Sequence, residues 1–219
     1  MRLRNDPNAK STIQENKDLV LEMENTDQII FSELFQNTGP IHLEIGMGKG
    51  DFLIETAIQN PDINFLGIEK ALPVIAIALK KINDLDFKPK NIKLIWGNME
   101  KLFDKLPLNS IDKIYLNFSD PWPKKKHIKR RLTFDNFLIN YQKILILKKG
   151  TLQIKTDNND LYFYSLNNLK RHNWVINYYT TDIYSQNDIF LKNNIATEYE
   201  IKFRNKNKNI NAILSKVPI

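Results

Sequence analysis

Ile41-His42-Leu43-Glu44-Ile45-Gly46-Met47-Gly48-Lys49-Gly50 alternates apolar and polar side chains and then closes on three glycines at every second position. This pattern reads as a β-strand running into a tight turn. Asp51 to Gln59 follows with apolar residues at Phe52, Ile54, Ala57 and Ile58, and stops at Asn60-Pro61, which reads as a helix. The strand–turn–helix unit then recurs. Further strands are expected over 64–68, 92–96, 111–118, 151–155 and 174–181, with helices over 71–82, 100–106, 132–147 and 159–170. Residues 200–203 and 212–214 are expected to close the sheet as strands. Strands alternating with helices predict right-handed βαβ units, hence an α/β fold around a mostly parallel sheet.

In such sheets ligands bind beyond the carboxyl ends of the strands. Glu44 to Gly50, Glu69, Asn98 and Asp120 each follow an expected strand, so all are expected on one rim. The glycine spacing is GxGxG; the GxGxxG of dinucleotide binders is absent, and no GK[ST] follows to make a phosphate loop. A carboxylate at Glu44, just before the turn, suits a cationic ligand such as the sulfonium of S-adenosylmethionine better than a pyrophosphate. Glu69 stands about 20 positions after the loop, where α/β nucleotide sites bond the ribose hydroxyls. The plainer reading of Glu69 is a cap on the next helix. Asn98 could bond the adenine amine or simply cap a helix.

A second motif is Asn117-Phe118-Ser119-Asp120-Pro121-Trp122-Pro123-Lys124-Lys125-Lys126-His127-Ile128-Lys129-Arg130-Arg131. The two prolines stiffen the loop that carries Asp120 and Trp122. Six Lys or Arg residues then fall within the eight positions 124–131. A stiff acidic and aromatic loop joined to a basic run suits a nucleic-acid base held beside its own phosphates. Asp120 could accept from guanine N1–H and the 2-amino group, and Trp122 could stack or wedge. The plainer reading of the basic run is a solvated helix start.

Charge agrees with a polyanionic partner. The 219 residues sum to +7, but residues 1–40 hold four basic against seven acidic side chains, so the remainder carries +10. There is no cysteine, which excludes disulfides, thiolate metal sites and cysteine nucleophiles. His42, His127 and His172 are scattered, so no metal is expected. Residues 1–10 are polar and the longest uncharged apolar run, 71–79, is too short for a membrane span, so a cytoplasmic protein without a membrane partner is expected. The reading divides the chain into an arm with a short helix over 1–38 and one domain over 39–219.

On these motifs the chain resembles the TrmB family of tRNA (guanine-N7-)-methyltransferases, from Arg2 and Arg4 to Thr197-Glu198-Tyr199-Glu200. The Asp120-Pro121-Trp122-Pro123-Lys124 core with its basic tail carries the likeness; the glycine loop is common to most class I methyltransferases. The resemblance implies the class I S-adenosylmethionine-dependent, Rossmann-like fold: a mostly parallel seven-stranded sheet with helices on both faces. It implies S-adenosylmethionine as cofactor and tRNA as partner, with the guanine at tRNA position 46, in the variable loop, as target. By position it implies cofactor contacts at Glu44, Gly46, Gly48, Glu69, Asn98 and Asp120, with Asp120 also catalytic. It implies substrate contacts at Lys124, Asp157, Thr197, Glu198, Tyr199 and Glu200, and RNA contacts at Lys125, Lys126, His127, Lys129, Arg130 and Arg131. The oligomeric state stays open between monomer and homodimer. Asn98 departs from the family's commoner aspartate, and Lys126 from its commoner arginine. Three rivals remain at this stage: a class I methyltransferase with another target, a tRNA-binding module without catalysis, and an NAD-dependent oxidoreductase, for which the glycine spacing is wrong.

Overall fold

A computed structural model describes residues 6–185, 190 and 194–218. Arg2 and Arg4 lie outside the described residues. The chain divides into two compact units, one up to Pro107 and one from Leu108 onward.

The first unit is built on four parallel strands in the order β1-β4-β3-β2: β1 (Val20–Glu22), β2 (Ile41–Ile45), β3 (Asn64–Glu69) and β4 (Ile92–Trp96). The register sets Glu44 beside Gly67 and Glu69 beside Trp96. β3 is buried at five consecutive positions, as a parallel strand covered on both faces requires. Helices α1 (Ala9–Glu15), α2 (Phe31–Leu34), α3 (Asp51–Gln59), α4 (Leu72–Asn83) and α5 (Met99–Leu102) complete the unit. Pro73 sits in the first turn of α4, where its missing N–H would have no helical partner anyway. Lys80 and Lys81 close the same helix against its negative dipole end. Leu43, Leu66, Ile75, Leu79 and Leu94 form part of the core.

Residues 20–22, which the sequence places in an arm with a short helix, form strand β1 and pair with β4. Three residues with a single alternation are too short for a periodic signal. With β1 the described residues hold eight strands, where the resemblance implied seven.

The second unit has strand order β5-β6-β8-β7, with β5 (Lys113–Asn117) and β6 (Thr151–Thr156) parallel, and β8 (Asn211–Lys216) antiparallel to both β6 and β7 (Val175–Thr180). Its helices are α6 (Asp135–Ile144), α7 (Asn159–Arg171) and α8 (Glu198–Arg204). β7 alternates exposed and half-buried residues, the pattern of an antiparallel strand with one solvated face.

Two expectations change here. Residues 200–203 are helix, not strand, because Thr197 and Glu200 form a reciprocal capping box that starts α8. The Thr-x-x-Glu signature was present in the sequence, but the apolar residues Ile201 and Phe203 suggested a strand. The helix expected over 132–147 is trimmed to 135–144. Before it, Thr133 is spent on Ser165, Oγ1 to Oγ 2.8 Å. After it, Leu145 turns extended and bridges Ile111.

Candidate functional site

In the first unit the site begins where β2 ends. Gly46, Gly48 and Gly50 all adopt the left-handed backbone region, with φ of 74°, 58° and 79°. Only glycine enters that region without steric cost. A Cβ on Gly46 or Gly48 would meet no heavy atom within 4 Å, so these two glycines serve the backbone path and leave open space above it. Between them Met47 turns inward and is buried. Its sulfur lies over Gly67 of β3, where any side chain would collide with it and with Leu53. The loop is further tied to β3 by the Gly46 and Met47 N–H groups, which donate to Ile68 O at 2.8 and 3.1 Å.

Glu69 stands at the end of β3 and reaches in two directions. Its Oε1 accepts from the Lys70 and Ala71 N–H groups at 2.8 and 2.9 Å, just before α4. Its Oε2 accepts from the Gly48 N–H at 3.3 Å. The capping reading of Glu69 therefore holds in part: it shapes the chain entering α4, and its other oxygen meets the glycine loop. Glu44 is 2% exposed, a carboxylate almost wholly withdrawn from water beside the same loop. Burying a carboxylate is costly unless a cation or donors face it. Asn98 is the N-cap of α5, its Oδ1 accepting from the Glu100 N–H at 3.2 Å. The residue is exposed. The glycine loop thus lies between a buried carboxylate, Glu44, and a second one, Glu69, that reaches it from the end of β3.

In the second unit β5 delivers the other motif. Phe118 ends the strand with φ 52°, and Trp122 has φ 41°. Both are left-handed conformations that non-glycine residues rarely hold. Side chains from elsewhere in the unit fix them. The Phe118 ring stacks with Tyr199 and Phe203 of α8, at centroid distances of 6.4 and 6.5 Å. The Trp122 ring meets His127 edge-on at 5.6 Å and lies 4.9 Å from the Arg130 guanidinium. Asp120, between these anchors, is exposed.

The basic run divides by exposure. Lys124, Lys125, Lys126, Lys129 and Arg130 are exposed and His127 is half-buried; residues 125–130 form a 3-10 turn. Arg131, expected to face RNA, is 7% exposed. Its Nε donates to Pro121 O at 2.9 Å and its Nη2 to Trp122 O at 3.4 Å, and its guanidinium covers the Tyr164 ring at 4.4 Å. Its planar fork is thus spent on the loop that carries Asp120.

The remaining expected residues gather around β6 and α8. Thr197 and Glu200, expected among the substrate contacts, face inward. Thr197 Oγ1 accepts from the Glu200 N–H at 3.0 Å, capping α8. Glu200 is fully buried against fully buried Lys155, Oε2 to Nζ 2.7 Å. The same Lys155 Nζ donates to Asn194 Oδ1 and Ile195 O, both at 2.9 Å. Glu200 Oε1 accepts from Tyr184 Oη and Asn194 Nδ2, both at 2.5 Å. Burial and the hydrogen bond to Glu200 push the Tyr184 hydroxyl up to about 12, so it remains a donor at any working pH. No sequence motif marked Lys155 or Tyr184; in Thr151-Leu152-Gln153-Ile154-Lys155-Thr156 the lysine reads as one more polar residue of an alternating strand. Glu198 and Tyr199 point outward. Asp157 Oδ2 lies 3.3 Å from Lys208 Nζ, while Asn158 caps α7, its Oδ1 accepting from the Leu161 N–H at 2.8 Å. Among the described residues no group of acidic or histidine side chains is arranged to hold a metal, and no helix is long and apolar enough to cross a membrane.

Comparison with known proteins matches this architecture. A family described as putative methyltransferases matches residues 38–213. A tRNA (guanine-N(7)-)-methyltransferase of Mesoplasma florum is 45% identical over 222 residues, covering 99% of both chains. The protein of the same description from Bacillus subtilis is 40% identical over 203 residues, covering 93% of this chain and 92% of its own. Among solved structures, the 16S rRNA methyltransferase KamB superposes with a TM-score of 0.63 at 10% identity, over 89% of this chain and 95% of its own. An antibiotic-related methyltransferase gives 0.62 at 16% identity, over 90% and 98%. At such low identity these two speak for the fold alone. The glycine loop, the Asp120 loop and the full-length likeness agree: the chain belongs to the TrmB family of tRNA (guanine-N7-)-methyltransferases, S-adenosylmethionine-dependent enzymes of the class I methyltransferase fold.

Proposed function

We propose that this protein methylates N7 of the variable-loop guanine, position 46, of tRNA in the cytoplasm, and that its expected site residues divide into those that touch ligands and those that hold them in place. The observation that carries the reading is the exposed Asp120 on a loop clamped from three directions and continuous with an exposed basic run. S-adenosylmethionine, when bound, supplies a methyl group already activated on a sulfonium. Glu44, the Gly46 and Gly48 backbone, Glu69 and Asn98 are the residues that would hold it.

Guanine N7 has an in-plane lone pair and no proton, so no side chain has to act as a general base. What remains for the protein is positioning, which in favourable cases is worth roughly 7–11 kcal/mol. Asp120 accepts from guanine N1–H and the 2-amino group, and its charge stabilises the cation that methylation leaves on the ring. Lys124, Lys125, Lys126, Lys129 and Arg130, with His127 beside them, meet backbone phosphates. Glu198 and Tyr199 face the substrate. Thr197, Glu200 and Arg131 act through the elements they fasten.

The test is incubation with labelled S-adenosylmethionine and unmodified tRNA, followed by nucleoside analysis. Label is expected in 7-methylguanosine, and it is expected to disappear when position 46 is changed to adenosine. Asp120→Ala is expected to abolish turnover while leaving S-adenosylmethionine affinity nearly unchanged. Label in another nucleoside, or near-normal turnover in the variant, overturns the assignment.

A further inference from the structure

Beyond residue 200 the chain holds five cations, Lys202, Arg204, Lys206, Lys208 and Lys216, and not one Asp or Glu. The plain account is dipole compensation, since Lys202 and Arg204 fall in the last turn of α8. That account does not reach Lys206 and Lys208, which lie beyond the helix. Nor does it explain how these cations are arranged. Lys202 Nζ lies 5.8 Å from the Tyr199 ring, the Arg204 guanidinium 3.9 Å from Tyr184, and Lys208 Nζ 4.9 Å from Phe203. The Tyr199 ring holds Lys202, which would otherwise be free to rotate, and so lowers the entropy lost on binding; Lys206, just beyond the helix, is exposed. Tyr199 itself is 54% exposed, with Ile201 exposed beside it. Basic side chains interleaved with exposed aromatic surface are the form of a site for unpaired nucleic acid.

This surface stands on rigid supports. α8 is anchored from below by the buried Lys155–Glu200 pair and started by the Thr197 cap. Its Tyr199 and Phe203 stack on Phe118, two residues before Asp120. A phosphate gripped along 199–208 would therefore lie on the same framework that holds the Asp120 loop.

We propose that Tyr199, Lys202 and Lys206 form a second RNA-backbone contact, separate in sequence from the 124–131 run, that grips the tRNA strand at the Asp120 loop. The proposal rests on the tRNA reading above. Arg204 and Lys208 are committed to Tyr184 and to Asp157, so the test leaves them alone.

The experiment measures tRNA affinity against salt for the full-length protein and for Lys202→Ala/Lys206→Ala, with S-adenosylmethionine affinity as the folding control. Removing one cation from a phosphate flattens the slope of log K against log salt by about 0.7 on single-stranded RNA. The double variant is expected to flatten it by about 1.4 and to weaken binding on the order of tenfold at 0.1 M salt. Lys202→Arg/Lys206→Arg is expected to restore both. An unchanged slope overturns the proposal, whether or not affinity falls, because a purely structural defect leaves the slope intact. Failure of the tRNA reading itself looks different: the unaltered protein would transfer no label from S-adenosylmethionine to tRNA, whatever the salt slope of binding.

Discussion

The two strand-end loops that carry the chemistry are stabilised by different means. The loop after β2 takes its left-handed turns at Gly46, Gly48 and Gly50, where they cost little. The loop after β5 takes them at Phe118 and Trp122, where each costs roughly 1–2 kcal/mol. The first loop carries its own instructions within five residues. The second borrows them: Phe118 is held by Tyr199 and Phe203, Trp122 by His127 and Arg130, and the Pro121 and Trp122 carbonyls by Arg131. Strain at a loop that bears a reactive group persists only where the surroundings over-determine it. One loop is thus set mainly by its own glycines, with room for Met47 left by Gly67 of β3; the other is set by its prolines and by side chains outside it.

The largest effect should come from the most remote support. Lys155 and Glu200 are fully buried and bonded to each other, so removing one strands the other's charge in the interior. Glu200→Ala is expected to lower stability by about 3–5 kcal/mol, read as a urea midpoint. Replacing both, as Lys155→Met/Glu200→Leu, should cost much less, because no buried charge is left alone. A Glu200→Ala protein as stable as the parent would remove the anchor of α8 and, with it, half the contrast between the loops.

Next in size is Arg131. As a loop clamp it should affect turnover; as a phosphate contact it should affect tRNA binding and its salt dependence. Hydrogen bonds from a charged donor contribute about 1.5–3 kcal/mol each. Arg131→Lys keeps the charge but loses the fork that spans the Pro121 and Trp122 carbonyls. The expected result is a fall in kcat on the order of tenfold to a hundredfold, with the salt slope of tRNA binding unchanged. Arg131→Ala removes the charge as well, and a slope flattened by about 0.7 in that variant with normal kcat would instead return Arg131 to the RNA-contacting set.

The same contrast explains what the sequence made legible. β2, β3, β4, α3, α4 and α7 were readable because each carries its own periodicity and its own stop signal, such as Asn60-Pro61. The glycine loop and the Asp120-Pro121-Trp122-Pro123 loop were readable because glycine and proline act locally. β1 was missed because three residues are too few to show a period. α8 was read as a strand because Ile201 and Phe203 outweighed the Thr197–Glu200 cap, which acts at a single turn. The inward roles of Arg131 and Glu200 were invisible for a different reason. A charged side chain in a charged run looks solvated until its partners are known, and those partners, Pro121 and Tyr164 for Arg131 and Lys155 for Glu200, come together only in the folded chain.

The smallest effect is also the sharpest test of the local loop. Gly48 has φ 58° and no heavy atom within 4 Å of where a Cβ would stand, so Gly48→Ala adds no clash within the protein. Its cost is the left-handed backbone alone, about 1–2 kcal/mol for an L-residue. Gly48→Asn should cost less, because asparagine visits that region more readily. Gly50→Ala should cost more than Gly48→Ala, because its Cβ would also press on Ala78 Cβ at 3.1 Å. Unfolding free energies that fall in the order Gly48→Asn, Gly48→Ala, Gly50→Ala therefore separate backbone strain from crowding. S-adenosylmethionine affinity then reads the remaining quantity. If it falls further for Gly48→Ala than the stability change accounts for, the added methyl occupies space the cofactor uses. If stability is unaffected by either substitution of Gly48, the loop is not held by its glycine backbone, and the distinction between the two loops fails at its simplest point.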